Sequence, residues 1–142
     1  MSHPGITEAL RRKIRNDAGQ RCGYCYSRQE LVLGTLEIEH IVPLAKGGTD
    51  EEANLWLSCS LCNRYKATQV TGGDQLTGET APLFNPRADK WHEHFGWSAD
   101  GVLILGSTAK GRATVRALRL NNDLAVEVRR NWVLAGWHPP TE

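Results

Sequence analysis

Four cysteines stand in two pairs, Cys22-Gly23-Tyr24-Cys25 and Cys59-Ser60-Leu61-Cys62, and the chain has no others. A Cys-x-x-Cys pair sets two thiolates along one edge of a tetrahedron, so two pairs complete a zinc shell with Zn–S distances of about 2.3 Å. A closed shell of this kind leaves no open coordination position, which assigns the metal to structure and not to catalysis. Four thiolates around one Zn²⁺ carry a net charge of about −2, and Arg21, Arg28, Arg64 and Lys66 stand beside them in sequence to offset it. Zinc ribbons usually separate their pairs by about 15–20 residues. Here 33 residues lie between Cys25 and Cys59, so something substantial is inserted between the knuckles.

That insert contains EIEHIVPLAKGGTDEEANLWLSC and runs directly into SLCNRYKA. It resembles the HNH endonuclease family in the Glu39-His40 pair, the IVPLAKGGTD loop, Asn54 at the head of NLWLSC, and Asn63 opening CNRYK. The resemblance implies a ββα-metal nuclease acting on DNA. Carried over residue by residue, it makes His40 the general base, Glu39 and Asn63 the ligands of a catalytic divalent ion, and Asn54 the brace of the loop. Glu stands where the family more often has Asp, and Asn63 where many members have His. Both substitutions keep an oxygen donor, which suits Mg²⁺ or Mn²⁺, with Ni²⁺ a further candidate. The motif covers about residues 21–67.

The chemistry is consistent with those types. Hydrolysis of a phosphodiester needs a deprotonated water and a sink for the charge that develops on phosphorus and the leaving oxygen. A neutral imidazole takes such a proton near physiological pH, for a gain on the order of 10²–10⁴ in rate. An ion held by one carboxylate and one amide keeps positions for water and phosphate. Lys46, Arg64 and Lys66 flank the motif and are candidate phosphate contacts. In a regular strand Glu39 and His40 face opposite ways, so the reading requires a bend near Pro43 and the Gly47-Gly48 pair.

The elements that must position these groups follow from periodicity. Thr7 caps a helix to about Asp17 with Leu10, Ile14 and Ala18 as its buried stripe and Gly19 as its stop. Residues 34–41 alternate as a half-buried strand; a second strand spans Leu55 to Ser58, and a helix runs from about Ser60 to Val70. The zinc knuckle fixes the start of that helix and would set Asn63 against Glu39. Residues 71–90, with five glycines and prolines and little periodicity, read as an irregular connection. Asp100-Gly101 between HFGWS and VLILGS signals a hairpin. Helices over about Ala109–Leu120 and from Asp123 onwards close the chain.

The fold class is therefore α+β: a small zinc-stabilised ββα core with an N-terminal helix and a C-terminal hairpin plus helices around it. At 142 residues the expectation is a single domain over 1–142, with the connection at 71–90 and an extension over 91–142. A hydrophobic share of 40% excludes a disordered chain. No apolar run of about 18 residues and no signal-like N-terminus occur, so the expected compartment is the cytoplasm, where paired cysteines bind metal rather than each other. Net charge of +1 gives no argument for a polyanionic partner; the basic clusters at the two ends give a weak one. The alternative left open is a zinc-stabilised nucleic-acid-binding module that does not cleave. Oligomeric state is not encoded in these patterns.

Overall fold

In the computed structural model, which describes residues 5–141, Thr7 caps the first helix. Its backbone is extended and its hydroxyl accepts the Leu10 amide, so α1 spans Glu8–Asp17 and ends through Ala18 into Gly19 at φ +68°. Ile14 is fully buried and packs with Ile6 and Leu55, while Leu10 and Ile38 close over the same cluster. The Arg15 guanidinium donates to Leu36 O at 2.7 Å and ties the helix to the chain that leads into the first strand.

Strand β1 (Glu37–His40) pairs antiparallel with β2 (Leu55–Ser58), placing Glu39 opposite Trp56 and His40 opposite Leu55. Helix α2 (Ser60–Lys66) follows at once, capped by Cys59, whose sulfur accepts the Cys62 amide. The order strand, loop, strand, helix is as the sequence predicts. The helix is shorter than the expected run to Val70, because the backbone leaves it at Ala67 (φ +49°) and Gln69 closes the turn on Lys66 O and Tyr65 O.

The chain divides into two compact units, one running up to Val70 and taking in Asn85–Trp91, the other made of Thr71–Phe84 and the chain from His92 onwards. In the first unit the returning segment is stitched to β2: Arg87 donates twice to Leu55 O and lies over the Trp56 ring. An Asx turn on Asn85, which accepts the Arg87 and Ala88 amides, shapes that return.

The second unit corrects the expectation that residues 71–90 are irregular. Strands β3 (Thr71–Gly73) and β4 (Thr80–Pro82) form a hairpin there, and the signal was weak because each strand is three residues long, β3 with two glycines and β4 ending on a proline. After α3 (Trp91–His94), the predicted Asp100-Gly101 turn joins β5 (Phe95–Trp97) to β6 (Ile104–Gly106). Helices α4 (Ala109–Ala117) and α5 (Asp123–Ala135) begin at Thr108 and Asn122 caps. The unit buries Leu83, Phe84, Phe95, Ile104, Leu118, Leu120 and Trp132. Gly111 lets α4 approach closely, since a Cβ there would sit 2.0 Å from His94 O.

The buried charged groups Arg129 and Asp74 of this unit are paired, as burial demands. Arg129, 2% exposed, donates to Val102 O, Leu120 O and Asn121 Oδ1. Asp74 receives Arg112 through two parallel bonds of 2.9 and 3.0 Å and closes the β3–β4 turn on Leu76 N and Thr77 Oγ1. The Arg112 guanidinium, with those turn donors, holds the Asp74 carboxyl well below its ordinary range. A depressed carboxyl stabilises the fold above its unfolded pKa and loses that contribution as pH falls through the folded one. Asp74→Asn should therefore lower the melting temperature at neutral pH, and its deficit against the wild type should shrink as the pH is taken down through the acid range. A deficit independent of pH would show that the ion pair does not carry the effect.

Candidate functional site

The knuckle is a miniature hairpin. Arg21 and Arg28 form an antiparallel bridge, Cys22 N bonds Ser27 O, and Gly23 N bonds Leu57 O, which docks the turn onto β2. The four cysteine sulfurs all lie within 4.8 Å of one another, the only such group of three or more His, Cys, Asp or Glu ligand atoms among the described residues. Cys25 Sγ and Cys59 Sγ are 3.7 Å apart, close to the roughly 3.8 Å edge of a tetrahedron with Zn–S bonds of about 2.3 Å. None of the four is in a disulfide. Amides of Tyr24 and Cys62 point at Cys22 Sγ and Cys59 Sγ, at 3.4 Å each, as donors to a thiolate shell. The residues fit zinc.

A cover of aromatic groups completes the knuckle. Tyr26 is stacked on Trp91 with ring centroids 4.5 Å apart, the Arg21 guanidinium lies 4.3 Å from the other ring's centroid at Tyr26, and Trp91 Nε1 donates to Tyr24 O. Trp91 is itself buried.

The motif's middle is arranged differently from the resemblance. The β1–β2 ladder continues through His40 and on to Ile41 N on Asn54 O, so no bend turns Glu39 and His40 to a common side. Glu39 is 2% exposed; Oε1 is 2.8 Å from Lys66 Nζ and Oε2 accepts the Tyr24 hydroxyl at 2.8 Å. Burial pushes the Glu39 carboxyl up from its usual range against the pull of Lys66, and burial followed by the Glu39 charge pushes the Tyr24 phenol well up. Lys66 is likewise 2% exposed and spends its remaining bonds on Ile41 O and His40 O, at 2.9 and 3.2 Å.

Two expectations are corrected by this. Lys66 is not a phosphate contact, because its ammonium is enclosed and fully bonded. Glu39 and Asn63 are not brought together as an ion's ligands: the Asn63 amide donates to Glu37 Oε1 at 2.8 Å, and an ammonium already occupies the Glu39 carboxylate. As they stand, the side chains do not fit a divalent catalytic ion between those two residues. Lys46 and Arg64 are exposed.

His40 goes the other way, into the loop. Its Nε2 lies 2.7 Å from Asp50 Oδ1, with 14% and 28% of the two side chains exposed. Asn54 bonds across that loop: its Oδ1 accepts Val42 N, and its Nδ2 donates to Val42 O and Thr49 O. Gly48 is required here, since a Cβ would stand 1.8 Å from Val42 O. Sequence reasoning missed Asp50, Tyr24 and Glu37. The first two have visible signals in retrospect, a carboxylate just past the Gly-Gly turn and a hydroxyl inside the Cys-x-x-Cys knuckle.

Residues 22–69 match the family model described as HNH endonuclease. No curated protein and no solved structure matches the chain.

Elemental analysis of the purified chain should find about one zinc per molecule; well-folded protein free of zinc would remove the four-thiolate site. Lys66→Met strips the buried carboxylate of its cation and should cost about 3–5 kcal/mol in urea unfolding. Adding Glu39→Gln should recover much of that loss, and a double variant as unstable as the single one would show that Lys66 acts through packing alone.

Proposed function

Starting from an HNH endonuclease segment at residues 22–69, we propose that this chain is a nuclease hydrolysing phosphodiester bonds in DNA, with His40 as general base. The observation that carries the reading is the imidazole of His40, held by Asp50 at a strand end and partly open to solvent, inside a ββα frame that a four-cysteine site clamps. An imidazole so held can take a proton from water, which is the step that phosphodiester hydrolysis lacks at neutral pH. Asn54 keeps the loop in place beneath it. Exposed Arg64 and Lys46 supply cations for phosphate oxygens, which set the register of the strand rather than its sequence.

The Glu39–Lys66 contact favours a second reading, a zinc-stabilised module that binds DNA without cutting it, because it leaves Glu39 closed to an ion. One assay separates the two. Supercoiled plasmid is incubated with wild type and His40→Ala while Mg²⁺, Mn²⁺ and Ni²⁺ are supplied in turn, so that an ion arriving with the DNA phosphates is present. The wild type should nick and His40→Ala should not, with a loss of at least about 10²-fold. Gel retardation by both proteins with nicking by neither would establish the binding module, and equal nicking by both would remove His40 from the chemistry.

A further inference from the structure

We propose that Asp50 is the positioning residue of the site, orienting His40 and choosing which of its ring nitrogens takes the proton. The proposal rests on His40 being the base, and the geometry adds what that reading lacks: a reason for the ring to present one nitrogen. Asp50 Oδ1 stands 2.7 Å from Nε2. A carboxylate only accepts, so Nε2 carries the hydrogen that it donates to Asp50, and the lone pair of the neutral ring is on Nδ1. Water then loses its proton to Nδ1 as its oxygen bonds phosphorus. The bond from phosphorus to the leaving oxygen breaks, and that oxygen is protonated by solvent. The imidazolium left behind faces the Asp50 charge, which offsets it without Asp50 itself being protonated.

The loop is built to make this contact. Gly47 takes φ +87° and Gly48 lies so close to Val42 O that no side chain fits, which folds the chain back along the end of β1. Asn54 then fixes both arms of the fold-back: Val42 through two bonds and Thr49 through its carbonyl, one residue before Asp50. Ring and carboxylate are thereby set on backbone segments whose separation Asn54 determines. On the other side, Lys66 holds His40 O, so the residue carrying the ring is restrained at its own carbonyl as well. The Asp50 carboxylate thus reaches from the loop to the ring at the end of β1.

Asp50→Asn keeps the shape and reverses the chemistry. Its amide can donate to Nε2, which moves the ring hydrogen to Nδ1. Long-range ¹H–¹⁵N correlation spectra of the zinc-loaded full chain, with the His40 signals identified by their absence from His40→Ala, should show the Nε2-protonated tautomer in the wild type and the Nδ1-protonated one in Asp50→Asn. In the nicking assay Asp50→Asn should lower kcat by about 10²–10⁴ with KM for plasmid unchanged, and Asp50→Glu should restore part of it. In a His40→Ala background Asp50→Asn should have no further effect. An unchanged tautomer in Asp50→Asn overturns the proposal, as does a loss of nicking that is the same size with and without His40. If the wild type does not nick while the tautomer switches as described, the nuclease reading fails and Asp50's hold on the ring stands.

Discussion

A carboxylate shut away from water must be answered by a cation and by hydrogen bonds, and Glu39 is answered by both. Its partners come from three different places: Tyr24 from the first zinc knuckle, Lys66 from the last turn of α2, and, through Lys66, the carbonyls of His40 and Ile41 at the end of β1. Knuckle, strand and helix are thereby joined at one point, with each polar atom in the junction satisfied by another. A metal held by the four sulfurs would perform the same union from the outside, since they come from the knuckle docked on β2 and from the start of α2. A unit with so few buried apolar side chains gains definition from such directional contacts, because a small core alone supplies little of it.

That junction also decides where His40 can look. Strand alternation sends consecutive side chains to opposite faces, and the ladder holds through residue 40. With Glu39 committed to the interior, the imidazole must go to the loop face, where Asp50 receives it. The expected sharing of one ion by strand and helix is replaced by two side-chain rungs between them, Glu37 with Asn63 and Glu39 with Lys66. Helix residues three apart lie on one face, as do strand residues two apart, so the rungs follow from periodicity.

This explains what could be read from the amino-acid string. The paired cysteines, the β1–β2–α2 order, the cap at Thr7, the helix start at Asp123 and the turn at Asp100-Gly101 are local, each decided by a few neighbouring residues. What was not legible was partner choice over distance: Lys66 looks like any surface cation beside Arg64, and only the fold reveals that its chain runs inward to a residue 27 positions earlier. The short strands β3 and β4 escaped notice because three residues are too few to show alternation. Their hairpin is secured by the Asp74–Arg112 pair, another contact across a long sequence separation.

The return of Asn85–Trp91 has a bearing on biosynthesis. A ribosome releasing this chain delivers both cysteine pairs well before it delivers Arg87 and Trp91, yet those two supply the donors for Leu55 O and Tyr24 O and the indole that lies against Tyr26. Nascent chain ending at the family match would expose an unfinished knuckle, with two carbonyls awaiting their donors. Metal loading can begin during translation, whereas closure over the metal waits until the ninety-first residue has cleared the exit tunnel.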